Sequence, residues 1–297
     1  MNSDVFPQIE GSTGRVRFRT VDLPELGAPI ADSHGHLDML DDPAGALERA
    51  AMAGVGFVLT VADLTESPEG TYDGLSGWLD QAAIRLAQWG VEVHPPEVGV
   101  AVGVHPHNAK HFYPEMEFLL ERLTLDPLTC AVGETGLDFH YNHSPREAQI
   151  LAFRAHLAAA HTRGLPVIVH LREAYAEGAD ILREVGIPKA GCVIHCFTGG
   201  VEDAQVFLEL GCHISFAGPV TFRKSKLMEV AASVPLDRLL VETDCPFLAP
   251  EPYRGATNEP ALAVLVAAAI AEAKEVGWTE FASAIDANTR RLFCRRD

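Results

Sequence analysis

Six residues of this 297-residue chain have the chemistry that a divalent cation needs: His34, His36, Glu134, His170, His195 and Asp244. Four imidazoles and two carboxylates, with no thiolate, suit Zn²⁺, Mn²⁺, Co²⁺ or Fe²⁺ and bind Mg²⁺ more weakly. Each has a plainer reading. A lone histidine at a strand end is usually a hydrogen-bonded core residue, and a glutamate after a glycine can cap a helix. Six such groups at one rim resist that explanation, because burying them without compensating charge costs several kcal/mol each. A pair of divalent cations supplies the compensation, and Glu134, between the two groups of ligands, is the natural bridge. Cations so held would activate water for hydrolysis.

The elements that must position these residues are short β-branched runs, each bounded by Gly, Pro or Asp. They cover residues 30–34, 55–62, 98–105, 130–135, 166–170, 192–197, 212–217 and 238–243. Helical patterning fills the gaps, including 78–89, 115–123, 201–210, 260–276 and 280–293, the last after a Thr279 cap. Ser144-Pro145-Arg146-Glu147 reads as a capping box that opens a long Ala-rich helix. Eight strands alternating with helices predict the α/β class and a single-domain (β/α)8 TIM barrel over residues 30–297, with an N-terminal appendage at 1–29. A doubly wound sheet would place a Gly-rich loop after its first strand. Here that strand ends in Asp32-Ser33-His34-Gly35-His36. Strand side chains alternate faces, so Asp32, His34 and His36 share one. The other candidates end the fourth, fifth, sixth and eighth runs, and the C-terminal ends of barrel strands converge on one mouth.

The bulk properties narrow the classes. A net charge of -18 argues against nonspecific coating of duplex nucleic acid, yet leaves room for an enzyme whose metals and a few cations meet phosphate. No apolar run approaches the roughly 20 residues of a membrane span, and no signal segment is visible. The six cysteines lack a CxxC pair and read as reduced thiols, so the expectation is a cytoplasmic protein without a membrane partner, monomeric or weakly oligomeric. A mixed Cys192/His195 zinc site is disfavoured, because residues three apart on a strand face opposite ways.

Seven segments now in view resemble the TatD family of metal-dependent deoxyribonucleases, within the amidohydrolase-like barrels. They are DSHGHLD (32–38), GVHPH (103–107), VGETGLDF (132–139), PVIVHLREA (166–174), VIHCFTG (193–199), VETDCPFLAP (241–250) and YRGATNEP (253–260), in family order. The resemblance implies one metal on His34, His36, Glu134 and Asp244, and a second on Glu134, His170 and His195, with Glu134 bridging. The fourth strand offers Glu134 and no carboxylated lysine, which favours the TatD branch. Two departures stand out. Ala256-Thr257 replaces the usual basic pair, and a loop is inserted near 65–76.

The resemblance further implies phosphodiester hydrolysis, with two divalent cations (Mg, Mn, Zn, Co or Fe) as cofactors. Asp244 is expected to ligate and to take the proton from water, with Glu242 orienting a water or a ligand. His105 would donate to phosphate or to the leaving oxygen. Arg172, Arg254, Arg223 and Asp138 are the candidate substrate contacts, with Lys224 and Lys226 beside Arg223, and Asp138 is alternatively a support behind the ligands. His107 and His140 carry no assigned role. Phe139, Tyr141, Phe197 and Phe222 could stack on unpaired bases. The expectation is 3'-5' exonuclease-like cleavage of single-stranded DNA. The rivals are hydrolysis of an amide or ester bond, such as an aminoacyl-tRNA deacylase, and a noncatalytic metal-binding scaffold.

Overall fold

The computed structural model describes residues 9–10, 16–17 and 28–294. Ile9–Glu10 and Val16–Arg17 pair antiparallel, and apart from them and residues 28–29 the expected appendage lies outside the described residues. Eight parallel strands follow: β1 (Ile30–Gly35), β2 (Val55–Asp63), β3 (Glu97–Gly103), β4 (Thr129–Asp138), β5 (Val167–Arg172), β6 (Cys192–Ile194), β7 (His213–Phe216) and β8 (Leu239–Val241). Each pairs with its sequence neighbour, and the sheet curls until β8 meets β1. The helices on the outside are α1 (Pro43–Met52), α2 (Glu69–Trp89), α3 (Pro114–Leu123), α4 (Arg146–Arg163), α5 (Tyr175–Val185), α6 (Val201–Glu209), α7 (Leu227–Ser233), α8 (Ala263–Ala273) and α9 (Trp278–Phe293).

Alternation along the strands builds two apolar shells. Ala31, Leu59, Ala131, Ile168, Val193 and Leu240 fill the barrel interior, floored by Leu292 and Phe293 at the end of α9. Their neighbours Ile30, Val58, Val132, Val169, Ile194 and Val241 face outward and pack under the helices.

The seam between β8 and β1 is made of a few bonds. The Asp244 amide donates to the His34 carbonyl (2.9 Å) and the His36 amide to the Cys245 carbonyl (2.7 Å). Below them the Asp32 carboxylate accepts from the Thr243 amide (2.8 Å) and hydroxyl (2.6 Å). A side chain thus stands in for ladder bonds that the strands do not make.

Three local expectations need correction. Most of the supposed 65–76 loop is helical, because α2 begins at Glu69. The capping box does not form: α4 begins at Arg146 after Pro145, with no side-chain cap. Ser144 is instead engaged elsewhere, its hydroxyl donating to the His107 carbonyl (2.6 Å) and accepting from the Lys110 amide (3.0 Å). Thr279 lies inside the first turn of α9, which starts after Gly277.

One buried histidine braces the site from behind. His156 of α4 accepts from the Val104 amide through Nε2 (3.0 Å) and bonds the Ala152 carbonyl through Nδ1 (2.7 Å). Burial pushes its pKa down from 6.5 to about 4. Because the folded value is the lower one, the unfolded chain binds the extra proton between these values. The stability it contributes is intact above pH 6.5 and is lost as pH falls towards 4. That loss should amount to about 3 kcal/mol. Urea midpoints measured across this window should fall less in His156→Gln than in the parent; parallel curves would reject the assignment.

Candidate metal centre

Two irregularities in the sheet create the site. On β1, Asp32 pairs with Val58 but Gly35 with Thr60, so three steps along one strand match two along the other. On β4, Val132 pairs with Val167 and Thr135 with Val169, again three steps against two. An extra residue of this kind switches the face that later side chains occupy. Ile30 and Val132 face the outer shell, so strict alternation would aim His34, His36 and Glu134 outward as well. The bulges turn them into the mouth. Glu134 is therefore not the end of its strand, which continues to Asp138. Glycine allows the bulge on β4: Gly133 has φ +142°, and a Cβ on Gly136 would lie 2.1 Å from the His170 carbonyl oxygen. His170, His195 and Glu242 share the parity of the interior residues Ile168, Val193 and Leu240 and need no such device, whereas Asp244 lies past the end of β8.

Four of the candidate ligands, together with His105, converge on the buried Glu134. Its Oε2 faces His34 Nε2 (3.3 Å) and His36 Nε2 (3.9 Å). Its Oε1 faces His195 Nε2 (2.7 Å), His170 Nδ1 (2.9 Å) and His105 Nε2 (3.3 Å). Asp244 Oδ1 lies 3.6 Å from His36 Nε2 and 3.9 Å from His34 Nε2. Asp244 itself has φ +56°, a left-handed conformation that Asp tolerates better than most residues.

Carboxylates behind the rings hold them in place. Asp138 Oδ2 lies 3.3 Å from His170 Nε2 and 2.8 Å from His107 Nε2, while Oδ1 accepts from the His140 and Tyr141 amides (3.0 and 2.8 Å). Glu242 Oε1 lies 3.4 Å from His195 Nδ1 and accepts from the Cys196 amide (2.7 Å). With the far nitrogens of His170 and His195 facing these carboxylates, their near nitrogens are turned to Glu134, the pattern that orients histidine ligands around a metal.

The electrostatics couple the buried carboxylate to the rings around it. Burial works to raise the pKa of Glu134, but His195, His105 and His170 hold it well below the ordinary carboxylate range. Burial works to lower His195, but Glu134 and Glu242 hold it well above the ordinary imidazole value. Burial and the neighbouring His195 push His34 down. His34 is fully buried, and neither ring nitrogen makes a hydrogen bond. A buried lone pair without a donor, aimed at two carboxylates, fits a cation. Three overlapping triads have ligand atoms within 4.8 Å of one another: His34-His36-Glu134, His34-His195-Glu242 and His105-Glu134-His170.

The cavity above these groups has a volume of about 740 Å³, and His36, His105, Glu134, His170, His195, Asp244 and Arg172 all reach it. Other candidate substrate contacts do not. Arg223 and Arg254 are exposed outside the lining, Arg254 lying 4.2 Å over the Phe222 ring. Asp138 is buried and occupied by His107 and His170, so it braces the site rather than meeting substrate. Of the aromatic candidates, Tyr141 lines the cavity; Phe197 is buried, Phe139 lies under Arg146 and Phe222 under Arg254. Ala256 and Thr257 are outside the lining too. The neighbouring Asn258 donates to the Thr243 and Phe247 carbonyls (2.7 Å each), and Glu259 pairs with Arg49 (2.7 Å). Cys192 packs in the outer shell beside Cys212, away from His195.

Sequence reading missed Asp63, His107, Cys196 and Phe247 on the lining. Asp63 was visible in principle as an acid closing the second run. Its Oδ2 accepts from the His105 amide (3.0 Å) and so fixes the entry to that residue.

A parallel barrel with a histidine–carboxylate centre at its C-terminal mouth defines a metal-dependent hydrolase. The family model described as "TatD related DNase" matches residues 31–294, and the chain belongs to that family. It is 40% identical over 271 residues to YcfH of Escherichia coli K12, named an uncharacterized metal-dependent hydrolase, covering 89% of this chain and 95% of that one. It is 37% identical over 260 residues to the 3'-5' ssDNA/RNA exonuclease TatD of Pantoea vagans, covering 85% and 93%. Among solved structures, the TatD homologue YJJV of E. coli superposes with a TM-score of 0.77 at 30% identity, over 90% of this chain and 98% of that one.

If the cluster is a metal centre, Mn²⁺ or Zn²⁺ at a hundred times its dissociation constant should stabilise the fold by about 2.7 kcal/mol per site. Thermal midpoints with and without metal check this. Glu134→Gln should lose most of the gain, and a midpoint indifferent to metal would reject the centre.

Proposed function

We propose that this protein is a binuclear phosphodiesterase that removes nucleotides from the ends of single-stranded nucleic acid. The observation that carries the reading is the division of Glu134, whose two oxygens face two separate sets of nitrogens. His34, His36 and Asp244 would hold one cation and His170 and His195 the other, with Glu134 common to both. Divalent cations would supply Lewis-acid chemistry, making water acidic near neutral pH and drawing charge from the phosphate.

The side chains have separable tasks around that centre. Asp244 accepts the proton of the attacking water through the oxygen not turned to His34 and His36. His105 Nδ1 accepts from the His107 amide (3.1 Å), so the neutral ring keeps its proton on Nε2, at the cavity. A ring in that form donates rather than ligates, which suits it to a phosphate oxygen or the leaving oxygen. Glu242 keeps His195 in orientation. Arg172, exposed on the cavity wall, meets the backbone phosphate. Polar groups at the bottom of a mouth favour a chain end over a continuous duplex. Relatives named as exonucleases on single-stranded DNA and RNA support the same class of substrate. Among the described residues no helix is long and apolar enough to cross a membrane. The six cysteines, none of them in a disulfide among the described residues, fit a reducing compartment, and we place the protein in the cytoplasm as a monomer or weak oligomer.

With Mn²⁺ supplied, the protein should shorten a labelled single-stranded oligonucleotide stepwise and bind two metals per chain. Glu134→Gln and Asp244→Asn should each lower kcat by about a thousandfold or more, and His105→Gln by roughly 10²–10⁴-fold with metal content unchanged. Turnover of amide or aminoacyl-ester substrates, with none on oligonucleotides, would overturn the reading.

A further inference from the structure

Five large aromatic side chains are exposed among the described residues: Trp89, Tyr113, Phe118, Tyr141 and Phe247. Of these, Tyr141 and Phe247 line the cavity. They are 51% and 48% exposed, so about half of each side chain is open to a ligand. An exposed aromatic ring on the wall of a charged cavity offers the flat π surface that a nucleobase stacks on.

Their positions differ in an informative way. Phe247 stands beside His36, ring centroids 6.2 Å apart, on the side of the His34-His36-Asp244 set. Tyr141 stands beside His107, centroids 5.6 Å apart, and His107 shares the Asp138 carboxylate with His170 of the other set. Both rings sit on anchored backbone. The Phe247 amide donates to the Asp244 carbonyl (2.9 Å), and its carbonyl accepts from Asn258 (2.7 Å). The Tyr141 amide donates to Asp138 (2.8 Å). The Tyr141 ring is steadied further by the Arg172 guanidinium 4.7 Å away and by His143, parallel to within 3°. A cation that both stacks on this ring and faces the cavity joins a base site to a phosphate site.

We infer that Tyr141 and Phe247 are base-stacking platforms on opposite sides of the scissile phosphate, one receiving the terminal base and the other the penultimate base. This rests on the nucleic-acid reading above. Stacking tolerates every base because each has a π face, so the platforms would select unpaired ends without selecting sequence. Paired bases, already stacked within a duplex, would have to unstack first.

The test uses the full-length, metal-loaded protein and three single-stranded oligonucleotides: one intact, one abasic at the terminal nucleotide, one abasic at the penultimate nucleotide. Losing one stacked base should lower kcat/KM of the parent roughly 5- to 100-fold at either position. Tyr141→Leu and Phe247→Leu should each lower activity on the intact strand by a similar factor. Each should also become indifferent to the missing base at one position, a different one for each variant. Tyr141→Phe should behave as the parent, and metal content should stay constant throughout. A parent that cleaves all three strands equally, or variants that remain as sensitive as the parent, would overturn the platforms and leave the nuclease reading intact. Variants blind to the same position would overturn the bracketing arrangement. A parent inactive on every oligonucleotide would overturn both.

Discussion

A carboxylate buried among five imidazoles sets the terms for the whole molecule. Glu134 has His34, His36, His105, His170 and His195 within 3.9 Å of its two oxygens. Groups of this polarity survive burial only when each is matched by opposite charge or a hydrogen bond. Asp138 and Glu242 stand behind two of the rings for that reason, and the backbone bends at Gly133 to deliver the carboxylate. His34 has no such backing, is fully buried and makes no hydrogen bond at either ring nitrogen, which makes those nitrogens the clearest sign of a site that fits a cation.

Much of this architecture was legible from residue types and spacing, for identifiable reasons. Buried parallel strands are short apolar runs, and their C-terminal ends define the mouth, so the eight-strand barrel follows from the pattern of runs. His170 and His195 follow from simple alternation with Ile168 and Val193. His34, His36 and Glu134 do not, because a bulge is an exception to alternation and depends on pairing with a neighbouring strand. Their place at the strand ends still put them at the mouth, and their division between two ions came mainly through the family motifs.

Other errors share one physical source: a polar residue in a loop has no direction until the loop is placed. Arg223 and Arg254 look like phosphate contacts in sequence and lie away from the mouth. Ser144 looks like a helix cap and is used to tie the turn after His105 to the start of α4. Asp138 reads in sequence as either a substrate contact or a support, and its enclosure by His170 and His107 favours the support. Conversely, Phe247 hides inside an apolar motif, and only the path of the chain after Asp244 puts its ring on the cavity wall.

The seam between β8 and β1 carries a consequence for the order of assembly. Asp32 and Thr243, which bond across it, are 211 residues apart in the chain. Contacts of such separation form late, after the entropy of a very long loop has been overcome. Asp244 reaches His34 and His36 only through that closure. A chain still emerging, or one caught with its barrel open, lacks a competent centre. Hydrolytic power is thereby tied to the completed fold, because a nascent or damaged copy holds at most part of the ligand set.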